Sequence, residues 1–229
     1  MRRLIWWRDD DAGPDCPELE RLLALARQFE LPLALAVVPA WLEQEAATRI
    51  TDIAGISVLQ HGWAHADHAA AGEKKIELGG DRDRGRLFAD LGRGRERLAT
   101  AFGTRFLPVM VPPWNRIAGD VEAALPDLGY RGISTFHRRP AAAVPGLHRI
   151  DTHLDLVDWR ARRHLTAAEA LERLEGLLAT GDAGPIGLLT HHRVMDGAAF
   201  AELERLLERL ASRADLRWCD AGPLFGKGN

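Results

Sequence analysis

The stretch Leu4-Ile5-Trp6-Trp7-Arg8-Asp9-Asp10-Asp11 decides the fold. Its four apolar residues read as a buried strand. The run ends in three carboxylates, so the strand delivers acidic groups to one of its ends. Adjacent carboxylates repel, which raises at least one pKa unless a cation is close. A divalent metal relieves that repulsion and lets one carboxylate ligate while its neighbour acts as a base. Taken alone, the triplet reads equally well as a solvated acidic turn feeding a helix at Pro17.

Outward from that stretch, apolar runs alternate with amphipathic ones. Strands are expected over 4–7, 33–38, 56–60, 106–111, 132–136, 148–151, 186–190 and 216–219. Helical patterns cover 17–29, 41–49, 84–102, 119–128, 167–179 and 197–213. Leu203, Leu206, Leu207 and Leu210 show the helical spacing. Pro17 suits a first helical turn and Gly181 a helix stop. Seven or eight such alternations without a break in composition predict one α/β domain over 1–229 with a mostly parallel sheet, as a barrel or an open sheet. In both, sites gather at the carboxyl ends of strands. The segment 69–84 reads as an exposed loop over that face.

The second informative motif is His61-Gly62-Trp63-Ala64-His65. Histidines four apart share one face of a helical turn. With one aspartate they make a two-histidine, one-carboxylate set, which proteins leave open for water and substrate. His68 reads as a supporting or surface residue. Val111-Pro112-Pro113-Trp114-Asn115 is a stiff segment after a strand, with Trp114 offering a flat surface for a sugar ring or acyl group. Asp155-Leu156-Val157-Asp158-Trp159 combines acids that can orient a partner with an aromatic wall. Leu189-Thr190-His191-His192 brings histidine to a strand end, where its near-neutral pKa suits a general acid. A structural role is the competing account of each. No nucleophile elbow, P-loop or dinucleotide fingerprint is present.

The 229 residues carry a formal net charge of −3 without long single-sign blocks. That gives no reason to expect a nucleic-acid partner or a membrane surface, and no apolar stretch is long enough for a span. Cys16 and Cys219 form no paired motif and read as free thiols of a reducing compartment. Met1-Arg2-Arg3 before the first apolar run imitates a signal peptide, but the run is too short, so a cytoplasmic location is expected.

Taken in order, these five clusters resemble the polysaccharide deacetylase (NodB-homology) family of metal-dependent carbohydrate esterases, over residues 6–192. The resemblance implies an irregular (β/α)7-type barrel and hydrolytic removal of acetyl or other acyl groups from N-acetylated sugars or a glycan. It implies Asp10 as base and Asp11, His61 and His65 as ligands of a divalent metal. Zinc leads, and cobalt, nickel or iron(II) also suit the donor set. His191 would be the acid, held by Asp155 or Asp158. Pro113, Trp114, Asn115, Trp159 and Trp63 would line the substrate site. A shift of roles by one residue, to Asp9 and His192, stays open.

The chain departs from the family pattern twice. Gly62 stands where the family has Ser or Thr, and Met110 or Val111 stands where it has an arginine bracing the catalytic aspartate. Arg8 and Arg116 are the candidates for that brace. The alternatives are hydrolysis of a small-molecule C–N bond on the same fold, a non-catalytic carbohydrate-binding domain, and a non-haem iron oxygenase.

Overall fold

In a computed structural model describing residues 2–136 and 143–226, the opening apolar run becomes β1 (Arg3–Ala12) at the centre of a parallel sheet. Met1 lies outside the described residues. The next strands are β2 (Leu33–Val37), β3 (Ile56–His61), β4 (Phe106–Val111), β5 (Gly132–Ile133), β6 (His148–Arg149) and β7 (Leu154–Asp155). A small antiparallel pair, β8 (Val157–Asp158) and β9 (Arg163–His164), precedes β10 (Ile186–Thr190) and β11 (Leu216–Trp218). Strand order across the sheet is β6-β5-β4-β3-β2-β1-β10-β7, with β11 paired to the first residues of β1.

The two edges of that order are joined by one stretch of chain, residues 148–155. Its first half pairs with β5, at Gly132 with His148 and Ile133 with Arg149, and a further bridge links Phe136 to Thr152. Its second half pairs with β10, at Leu188 with Leu154 and Leu189 with Asp155. The amides of Thr152 and His153, adjacent in the chain, donate to Thr135 and Gly187 on opposite sides. This stretch closes the sheet into an irregular seven-stranded barrel.

Alternation along β1 sorts its side chains. Ile5 and Trp7 face a large apolar layer shared with the surrounding helices. Trp6 faces the lumen, packed with Ala34, Ala36, Leu59, Val109 and Phe225. The helices are α1 (Pro17–Gln28), α2 (Gln44–Thr51), α3 (Arg84–Phe102), α4 (Gly119–Ala124), α5 (Ala167–Ala179), α6 (Gly197–Ala211) and α7 (Ala221–Leu224). Local chemistry sets their starts. Asp83 and Asp196 cap α3 and α6 through their side chains, Pro17 opens α1, and Thr166 with Glu169 forms a capping box on α5.

Three expectations need correction. The helix expected over 41–49 begins at Gln44, because Pro39–Trp41 forms a 3-10 turn. The helix expected over 119–128 stops at Ala124, two residues before Pro126, which has no amide hydrogen to continue the helical ladder. Segment 69–84 is only partly an exposed loop: Glu77, Leu78 and Gly79 are buried, and Leu78 bridges Ile117. Cys16 and Cys219 are free thiols, and among the described residues no helix is long and apolar enough to cross a membrane.

Candidate metal centre and active site

Strand alternation would point Asp9 and Asp11 one way and Asp10 the other. The structure departs from that at the end of β1, where its register with β2 shifts between Asp9 and Ala12 and Asp11 takes a left-handed φ of 70°. Irregularities of this kind re-aim a side chain. Asp10 and Asp11 consequently both line a cavity of about 630 Å³ at the carboxyl ends of the strands. Asp9 points away from it, fully buried beside His192.

Asp11, His61 and His65 converge. Asp11 Oδ1 is buried without a hydrogen-bond partner, 3.3 Å from His61 Nε2 and 3.3 Å from His65 Nε2. Two ligands each about 2.0–2.1 Å from a tetrahedral ion stand about 3.3 Å apart, so the donor set fits a zinc-like ion in chemistry and spacing. His61 Nδ1 lies 2.8 Å from the Val111 carbonyl and donates to it, which leaves Nε2 as the bare nitrogen facing Asp11. Burial and the neighbouring His61 push the His65 imidazole down to about 4, toward the neutral form that ligates metal. Burial opposes the charge on Asp11, but the field of the surrounding His61, His65 and His191 holds its carboxyl well below the usual range.

The two histidines do not sit on a helical turn as their spacing predicts. Residues 62–65 form a bend, with φ of 59° at Gly62 and 54° at His65. Glu77 holds it: Oε1 accepts the amides of Trp63 and Ala64 at 3.1 and 2.7 Å, and Oε2 accepts that of His65 at 3.1 Å.

Asp10 is gripped by Arg8, two residues back on the same face of β1. Arg8 Nε stands 2.8 Å from Asp10 Oδ1, and Nη2 donates to Oδ2 at 3.0 Å. Nη1 donates to Ser134 Oγ at 2.6 Å, and the guanidinium is fully buried. The brace that the family pattern places after β4 therefore comes from β1. Arg116 instead lines the cavity and donates to the Lys75 carbonyl.

Across from Asp10, His191 Nε2 lies 4.0 Å from Asp10 Oδ2, and His191 Nδ1 lies 3.7 Å from Asp155 Oδ1. Burial raises the Asp155 carboxyl above its ordinary value. Asp155 also accepts the Trp159 indole N–H at 2.8 Å, and Trp159 meets the His191 ring edge-on. Asp158 lines the same cavity, but its carboxylate accepts the amides of Arg160 and Ala161 and closes the β8–β9 turn. His192 is turned outward, with Nδ1 on Asp9, while Asp9 Oδ2 accepts Thr190 Oγ1 at 2.7 Å and the His192 amide at 3.0 Å.

Of the expected substrate-site residues, Trp114, Asn115 and Trp159 line the cavity. The Asn115 carboxamide oxygen accepts the Phe136 amide at 2.8 Å, so this side chain shapes the wall. Pro113 is buried behind the wall, in reach of position 62. Trp63 is not among the lining residues, and the Arg93 guanidinium covers its ring. Sequence reasoning missed Glu77, Ser134, Trp41 (packed on His65), Phe136, Arg173 and Val194. None belongs to a short motif, and only the barrel brings them together.

No family model matches the chain, and no curated protein does. Solved structures share its fold. A protein provisionally assigned as a polysaccharide deacetylase from Mycobacterium smegmatis is 17% identical, with a TM-score of 0.73 over 99% of this chain and 90% of that one. A family 4 acetyl xylan esterase from Clostridium thermocellum, in complex with a cobalt ion, is 16% identical, with a TM-score of 0.65 over 97% and 90%. A CE4 family pseudoenzyme from Bacillus anthracis is 13% identical, with a TM-score of 0.67 over 99% and 66%. The fold is that of the carbohydrate-esterase barrel, as the motif resemblance implies. Because a pseudoenzyme shares it, activity has to be argued from the residues.

Proposed function

We propose that this chain is a metal-dependent hydrolase that removes acetyl or similar acyl groups from an N-acetylated sugar or glycan, acting as a single catalytic domain. The observation that carries this reading is the pairing of a braced carboxylate with a metal-donor set in one cavity. Asp10, held by Arg8, stands beside Asp11, His61 and His65 and opposite His191. The deacetylases and the acetyl xylan esterase that share the fold support it.

Asp11, His61 and His65 would hold the ion. A divalent metal there supplies Lewis acidity and lowers the pKa of a water toward about 7. Asp10 takes the proton of the attacking water, and its ion pair and hydrogen bond with Arg8 keep the carboxylate aimed. His191 then gives a proton to the departing amine nitrogen, completing hydrolysis to acetate and the free amine. Asp155, 3.7 Å from Nδ1, stands where it can orient the His191 ring. Trp114 and Trp159 flank the reacting centre, suited to a sugar ring. Zinc is the ion we expect.

The cavity supports a second reading, hydrolysis of a C–N bond in a small molecule. At about 630 Å³ it is the size of a typical small-ligand site, and Trp114, Phe136, Val157 and Val194 give it apolar walls.

Metal content of the purified protein and acetate release from a panel of N-acetylated sugars, before and after chelation, test the first reading. Stoichiometric zinc and chelator-sensitive release are expected. Asp10→Asn should lose about 10²–10⁴-fold in turnover while keeping its metal, and His61→Ala should lose the metal. A metal-loaded protein that releases no acetate but opens cyclic amides would select the second reading. Ligand binding without turnover of either class would make the chain a binding domain.

A further inference from the structure

We propose that Glu77 is the residue that positions the metal-binding turn, taking the place of a side chain at position 62. The inference rests on the reading of Asp11, His61 and His65 as a metal centre. Glu77 is 1% exposed, and its carboxylate accepts three successive amides, those of Trp63, Ala64 and His65. Successive amides turned to one side form a concavity that binds an anion. Here the anion belongs to the chain itself. The turn needs it, because His65 is a non-glycine residue with left-handed backbone, a conformation that L side chains disfavour.

Gly62 is the other half of the device. A Cβ at this position would collide with Glu77 Oε2 and come within 2.8 Å of Pro113 Cγ. The glycine thus clears the space that the carboxylate fills, and its φ of 59° suits no other residue as well. From the opposite side, Gln60 Nε2 donates to the Gly62 carbonyl at 3.0 Å, and Tyr130 donates to Gln60 Oε1 at 2.7 Å. Both flanks of the turn between the two histidines are therefore held by buried polar groups. The carboxylate of Glu77 bonds to backbone amides, that of His65 among them. It acts on the metal through the backbone of His65.

The test measures metal affinity, independently of turnover. Zinc and cobalt(II) dissociation constants are determined by chelator competition for the wild type, Glu77→Ala, Glu77→Gln and, as a control in the same segment, exposed Glu73→Ala. The cobalt(II) visible spectrum and the kcat and KM for acyl release are recorded alongside. Glu77→Ala should weaken metal binding by about 10- to 100-fold, the usual effect of losing a group that orients a ligand, and should change the cobalt spectrum. Glu77→Gln should fall between, because one oxygen still accepts two amides while the His65 amide faces an NH₂. Excess metal should restore kcat in part, with KM unchanged. Glu73→Ala should match the wild type.

Wild-type affinity and an unchanged cobalt spectrum in Glu77→Gln would overturn the proposal, even if Glu77→Ala fails to fold. A wild type that binds no metal would instead overturn the metal-centre reading, and this inference with it.

Discussion

At the scale of single residues, the proposed chemistry turns on the contact between Arg8 and Asp10. A carboxylate facing a candidate metal site and a histidine has to be aimed, and Arg8 does this with a two-point contact. Arg8→Lys keeps the charge and loses the fork and the bond to Ser134. It should lower kcat by about 10²-fold, at the lower end of what general-base catalysis contributes, while metal content stays stoichiometric. Steady-state kinetics with metal analysis checks this, and undiminished kcat would remove Arg8 from the mechanism. The residue types were legible before folding: Asp10, Asp11, His61, His65 and His191 all come to one cavity. Their support was less so. Nothing in the spacing tells that Arg8 rather than Arg116 meets Asp10, or that Asp155 rather than Asp158 meets His191.

At the scale of elements, the strand ends carry the function and the helices carry the strands. Helix α5 packs on α6 and covers the outside of β7, the strand that holds Asp155. Its start is held by Thr166 and Glu169, each side chain accepting from the other's backbone amide. Thr166→Ala should cost about 1 kcal/mol, a fall of about 2–4 °C in Tm, with kcat and KM unchanged because Thr166 does not line the active-site cavity. Thermal melting beside a kinetic assay separates the two, and a large kinetic effect would mean that α5 controls the site. The helices over 84–102 and 167–179 were readable from periodicity with their ends, because their caps are local chemistry. The bend at 62–65 was not, because a spacing of four fits a helical turn and equally a loop gathered around a distant carboxylate.

Over the whole molecule, the decisive feature is closure of the barrel by residues 148–155. Gly187 makes it possible. A Cβ there would meet Thr152 Cα at 2.7 Å, Trp6 Nε1 at 2.7 Å and the Asp151 carbonyl at 2.8 Å. Two of those atoms are backbone and cannot swing away. Gly187→Ala should push the closing stretch off β10, destabilise the protein by about 1–3 kcal/mol and lower kcat, since Asp155 rides on that stretch. Urea denaturation and activity on the same sample test this. Unchanged stability would show that the closing stretch can move outward at no cost.

The amino-acid sequence by itself determined the alternation of strands and helices, the parallel sheet, the placement of polar clusters at strand ends and the donor types of the candidate metal centre. These follow from periodicity, capping chemistry and short motifs, all of which act over a few residues. The ordered motifs, by their resemblance, also implied the closed barrel, but the tertiary structure alone decided which stretch closes it, that the irregular end of β1 turns Asp11 into the cavity beside Asp10 while Asp9 faces His192, that Arg8 rather than Arg116 meets Asp10, and that Glu77 supports the turn. Each of these depends on which distant segment fills a particular space, and local pattern carries no information about that.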